Sequence, residues 1–213
     1  MFQQLFSALL DTLKMVVFSG ALSAIFGLPL GVLLSTTRKG YFFENLPLNL
    51  GLGAVVNAAR SIPFIILMLA IIPLTRLIVG TSIGVSAAIV PLTLAAIPFF
   101  ARVVETSLNK VPFGLIEAAQ IMGASPVQIV QKVLIPEGLA GIISGLTLTL
   151  VNLVGYSAMA GAIGSGGLGS LAYHYGYQRF DTAIMISTVI ILILLVQSIQ
   201  MCGDYVVYKM VKH

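Results

Sequence analysis

The chain has no tryptophan, one cysteine and very little charge. Of its 213 residues, 8% are Asp, Glu, Lys or Arg and 58% are hydrophobic. Its mean hydropathy is +1.06. A soluble domain carries about 25% charged residues. So few charges cannot clothe a globule in water, which excludes a soluble fold and makes lipid the main solvent. A lone Cys202 excludes an internal disulfide and reads as a small apolar residue in an apolar segment. Two histidines, His174 and the terminal His213, give no metal-ligand spacing with that one cysteine. No G-x-x-x-x-G-K-[ST] occurs, so the sequence offers no P-loop for a nucleotide. The net charge of +4 is read as membrane orientation and not as affinity for nucleic acid.

What is present is apolar length. A spanning helix needs about 20 mostly apolar residues. Five stretches qualify, roughly 13–36, 60–79, 83–101, 138–161 and 182–204. The run 15–34 is too long for a signal-peptide core and is read as a retained span. The fold class expected is an all-α polytopic membrane protein with five transmembrane helices, organised as one domain over 1–213. Pro63, Pro73, Pro91 and Pro98 fall in the second and third stretches, where kinks are expected to shape a cavity or simply to pack.

The basic residues divide unevenly between the two sides. Lys14, Arg76 and Arg179 lie on one side. Arg38, Lys39, Arg60, Arg102, Lys110, Lys132, Lys209 and Lys212 lie on the other, counting Arg60 with the flank of the loop 37–59. The positive-inside bias then places the N-terminus outside and the C-terminus in the cytoplasm.

One segment, EAAQIMGASPVQIVQKVLIPEG at 117–138, is polar and broken where its surroundings are apolar. Leu115–Met122 holds good helix formers and Gly123 is a left-handed stop. Ser125, Pro126 and Gln128 form a capping box that opens a second short helix, which Pro136 is expected to end. Ala118 and Ala119 lie side by side, with Leu115 and Met122 one turn away. Glu117 sits early in the first helix, where the dipole favours an acid. Such a helix fits a groove on another protein, or it rests on headgroups.

The order Glu117-Ala118-Ala119, then Gly123, then Ile135-Pro136, resembles the EAA loop of ABC importer permeases. The segments RSIPFIILM, IPLTRLIVGTSIG, AAIVPLT and LVGYSAMAGAIGSGGLG are similar to the methionine-type permeases of that family. Ala140 departs from it, standing where such permeases often carry a second proline. The resemblance implies a type I importer permease fold in a bacterial inner membrane. It implies an EAA coupling loop over about 108–137, with Glu117, Ala118, Ala119, Gly123 and Pro136 contacting a cytoplasmic ATPase subunit. The expected assembly is two copies of this chain, two ATPase subunits that bind ATP and Mg, and an external substrate-binding protein. No cofactor is expected in this chain, and no catalytic residue. Methionine is the expected cargo, with another small amino acid or related solute as the alternative.

In the glycine-rich stretch 155–169, Tyr156 and Met159 share a helix face and either line the translocation path or pack within the bundle. The glycines read as close packing or as an unwound span end. Asp11 and Lys14 are expected to pair locally or anchor at the interface, and Arg60 and Arg76 to snorkel, with contact to the EAA loop or the partner as the alternative for Arg60. His174 sits among Tyr173, Tyr175, Tyr177 and Arg179, an aromatic belt or a docking surface. An ion-coupled secondary transporter would need inverted repeats and buried ion ligands. A serine hydrolase would need Ser157 or Ser165 to meet His174.

Overall fold

The computed structural model describes residues 2–211, and Lys212 and His213 lie outside it. Every regular element among the described residues is helical. The helices are α1 (Phe2–Thr36), α2 (Leu46–Ser61), α3 (Phe64–Ala70), α4 (Ile72–Val79), α5 (Val85–Leu108), α6 (Phe113–Ile121), α7 (Pro126–Ile129), α8 (Ile135–Ala160), α9 (Gly167–Leu171) and α10 (Thr182–Val211). Three π-helical turns extend them, at Val130–Leu134, Gly161–Ser165 and Ala172–Tyr177.

Among the described residues, four helical runs are long and apolar enough to cross a membrane: Phe2–Thr36, Val85–Leu108, Pro126–Ser165 and Thr182–Met210. The pair α2–α3 makes a fifth crossing if its two helices, bent by 100°, are taken as one broken span. The apolar stretch 60–79 was expected to be one span, and the structure corrects that. Ile62 before Pro63 is extended, at φ −81° and ψ 123°. Proline's ring disfavours the helical region in the residue before it, so the helix stops there. Ile71, before the Pro73 helix start, breaks the chain again. By contrast Pro91 and Pro98 sit buried inside an unbroken α5.

The bundle has two ends. At one, the Gly84 amide donates to the Gly164 carbonyl at 3.2 Å, and the buried Leu168 amide donates to Thr12 Oγ1 at 2.9 Å. The stretch 162–181 was expected to be a loop; it is a compact helical hairpin returning on α8. At the other end, Ser35 Oγ donates to Asn109 Oδ1 at 3.0 Å, and the elbow 121–136 packs beneath α5. These are called the hairpin end and the elbow end below.

Small residues bring the long helices together. A Cβ at Gly31 would lie 2.5 Å from the Ala101 carbonyl, and one at Gly145 would lie 2.1 Å from Val103. Without a hydrophobic drive between helices in lipid, such close packing is what holds a bundle. Met15, Leu92, Leu153 and Ala160 form the central core. A second core lies at the elbow end and includes Phe100, Val104, Leu108, Ile116, Ile129 and Leu134.

Candidate functional site

The elbow is built as its local sequence requires. Gly123 ends α6 in the left-handed region at φ +79°. Its amide donates to the Gln120 carbonyl at 2.9 Å, and the Ala124 amide to the Ala119 carbonyl at 3.0 Å. That pair of bonds satisfies carbonyls a helix end leaves free. Next, the Ser125 amide donates to Gln128 Oε1 at 2.8 Å, and the Gln128 amide to Ser125 Oγ at 3.4 Å. The capping box expected from Ser125 and Gln128 is therefore formed.

Pro136 does not end the second helix. The chain stays helical through Pro136 and on to Ile163, before Gly164 leaves the helix at φ 104°. A proline inside a helix cannot donate to the carbonyl four residues back. The π turn Val130–Leu134 absorbs the fault, with the Ile135 amide donating to Val130 one residue further back.

The faces of α6 also differ from expectation. Ile116 and Ala119 turn inward, 1% and 4% exposed, into the second core. Glu117 and Ala118 stay outside with Leu115, Ile121 and Met122. Ala119 therefore supports the elbow, and Ala118 alone of the alanine pair is presented. Ile121 at 87% and Met122 at 80% exposure flank it as an uncovered apolar tip. Tyr41 locks the underside, its ring 5.8 Å from Phe113 and under the Arg38 guanidinium at 4.2 Å.

A second constellation lies at the α2–α3 break. A cavity of about 250 Å³ is lined by Arg60, Ile62, Phe64, Leu67, Phe99 and Tyr156, with Ala59 and Ala95. Phe64 and Tyr156 stack at 4.7 Å with planes 7° apart. Arg60 faces the Phe99 ring at 5.7 Å. Tyr156 is thus at a cavity, while Met159, 50% exposed, is not part of its lining. Arg60 was counted with the loop flank; the structure places it, exposed, at the end of α2 and beside Phe99, partway along α5. Sequence reasoning missed the joining of Arg60, Phe64 and Phe99. The signal for it was Arg60-Ser61-Ile62-Pro63, a cation beside a proline break in an apolar run.

The remaining candidates sort quickly. Lys14 Nζ lies 3.6 Å from Asp11, the local pair expected. Arg76 Nε donates to Ser82 Oγ at 3.2 Å. Tyr173 and Tyr177 stack at 5.8 Å, and Arg179 covers Tyr175 at 4.5 Å. Ser157 Oγ donates to the Val154 carbonyl at 2.7 Å. Ser165 Oγ and His174 Nδ1 are buried without a hydrogen bond, so no serine–histidine pair exists among the described residues. No group of three metal-ligating side chains occurs among them either.

Comparison with known proteins gives a consistent result. Residues 20–211 match the family described as binding-protein-dependent transport system inner membrane component. A probable D-methionine transport system permease protein from Vibrio cholerae is 58% identical over 96% of this chain and 91% of its own. The D-methionine transport system permease protein of Escherichia coli is 56% identical over 71% of this chain and 70% of its own. Among solved structures, an inward-facing MetNI methionine ABC transporter chain superposes with a TM-score of 0.97 at 50% identity, covering 99% of this chain and 97% of that one. An amino acid ABC transporter crystallised with histidines gives 0.79 at 18% identity over 98% of this chain and 94% of its own, a likeness of fold.

Proposed function

The chain belongs to the family of binding-protein-dependent transport system inner membrane components, and from that premise we propose that it is the permease subunit of a methionine ABC importer. It is a transport subunit, not an enzyme. The observation that carries the proposal is the capped elbow, which presents Glu117, Ala118, Ile121 and Met122 on a rigid tip of the kind that seats in a groove. The identity to permeases named for D-methionine supports the cargo.

In this reading two copies assemble about a two-fold axis, each elbow docked on an ATPase subunit that binds ATP and Mg. Gly123 sets the elbow's angle, Pro136 stands with its π turn where the elbow joins α8, and Ala119 anchors it from within. ATP-driven closure of the ATPase pair draws the elbows together and opens the spans toward an external binding protein. Hydrolysis resets them. Tyr156 lines the path, and Met159, on the exposed face of α8, meets its two-fold mate as a gate. The elbow end holds Arg38, Lys39, Arg102, Lys110, Lys132 and Lys209, so the positive-inside bias favours the cytoplasm for it. The whole chain acts as one permease domain in the inner membrane.

The test is reconstitution of the chain with its ATPase and binding proteins in liposomes. ATP-dependent uptake of labelled methionine is expected, with loss of ATPase co-purification when Glu117 becomes Arg. Uptake unaffected by Glu117→Arg would sink the coupling assignment. Uptake of other amino acids but not methionine would sink the cargo.

A further inference from the structure

Arg60 has no ordinary reason to be where it is. It closes α2 at the point where the span breaks, beside Phe99. Phe99 lies 14 residues from one end of α5 and 9 from the other. At about 1.5 Å per residue, that is about 21 Å and about 14 Å from the ends. Arg60, an exposed side chain, therefore stands partway along the bundle's length and not at either end of α5. Among the described residues only Lys14–Asp11 and Arg102–Glu105 form ion pairs, so no carboxylate neutralises it. Charges at membrane depth are costly and are kept where they meet a partner or cargo. The helix C-terminus and the Phe99 face offset part of that cost, yet neither offers the guanidinium an anion.

Arg60 also lines a second opening, about 450 Å³, with Arg102, Lys110 and Ser144, which leads along α5 to the elbow end. Arg102 is held by Glu105 and by Asn57 Oδ1 at 2.7 Å. Among the described residues, Arg60 and Lys110 have no acidic partner in that groove. The cavity thus offers one unneutralised cation at its rim and three aromatic rings with Leu67 inside. Cavities for drug-sized ligands start at about 300 Å³, so about 250 Å³ suits a smaller solute. A cation beside an aromatic wall matches a molecule with a carboxylate at one end and a soft apolar group at the other. A thioether against ring edges is such a group. Discontinuous helices that place a site near mid-depth are a recurrent way to hold cargo in transit.

We infer that the cavity at the α2–α3 break is a transit site for the cargo, with Arg60 binding its α-carboxylate and Phe64, Phe99 and Tyr156 receiving its side chain. The inference rests on the reading of the chain as an amino-acid permease. The unpaired cations of the adjoining groove then give the carboxylate its next contact on the way out.

The experiment photolabels the full assembly in nanodiscs with a diazirine analogue of methionine and maps the label by peptide mass spectrometry. Wild-type protein is expected to be labelled within 59–67, at Phe99 or at Tyr156. Arg60→Gln should reduce that labelling at least about tenfold, the scale of one lost charge-assisted hydrogen bond, and Arg60→Lys should restore part of it. Methionine amide should compete poorly with wild-type labelling, and methionine well. Labelling confined to other peptides, or equal in wild type and Arg60→Gln, overturns the site. Uptake of labelled methionine by the wild-type assembly, measured in parallel, separates the two claims. Uptake without cavity labelling overturns the Arg60 site alone, whereas absence of both overturns methionine as cargo and the site with it.

Discussion

The elbow and the hairpin both reverse the chain with glycine, but they use it for different physical ends. At the elbow Gly123 supplies a positive φ and nothing lies within 4 Å of where its Cβ would be. At the hairpin Gly169 supplies room, since a Cβ there would stand 2.3 Å from the Ala158 carbonyl oxygen. One turn is specified by torsion angles and hydrogen-bonded caps, and the other by two backbones in direct contact. The elbow can be altered without disturbing the bundle. The hairpin cannot, because it is packed against α8 and α1.

Four substitutions sharpen that contrast. Gly169→Val should be the most damaging, costing about 3 kcal/mol or more through overpacking against backbone that has nowhere to move. A fall in the unfolding temperature of the purified protein, with aggregation on size exclusion, is the expected reading. Thr12→Val removes the acceptor of the buried Leu168 amide. It should cost about 1–3 kcal/mol, visible as faster amide exchange across 165–171. Gly123→Ala places a side chain in the left-handed region at about 1–2 kcal/mol. Uptake and ATPase association should fall while the bundle's unfolding temperature hardly moves, and Gly123→Asn should be milder. Ser125→Ala loses one cap, about 1 kcal/mol, with faster exchange limited to 126–129. If Gly123→Ala lowered the unfolding temperature as far as Gly169→Val, the contrast would collapse.

The same contrast explains what was legible in the sequence. The elbow could be read because its instructions are local: a glycine stop, then Ser125, Pro126 and Gln128 in cap order. The inward turn of Ala119 could not, because it depends on Ile129, Leu134 and α5 arriving from elsewhere. Hydropathy located the long helices but opened the second span at 60, just before the break at Ile62, and left α2 as loop because Asn49, Asn57, Arg60 and Ser61 dilute its apolar residues. Pro63 was the local signal, and it was read only as a kink. Pro136 was misread for the opposite reason. It looked like a stop, but a π turn, which has no simple sequence pattern, carried the helix past it. The cavity was half visible: Tyr156 was singled out, whereas Arg60 needed α2 and α5 side by side to acquire meaning.

The helical run from Pro126 to Ser165 has one further consequence. Tyr156 stands 20 residues beyond the elbow's end at Pro136, which is about 30 Å at the rise of an α-helix. A rod of that length is a lever. Tilting it by about 5° at the elbow carries its far arm through about 3 Å, close to the width of a methyl group. In the proposed transport cycle, one piece of backbone would thus carry the gearing from the docking surface to the path.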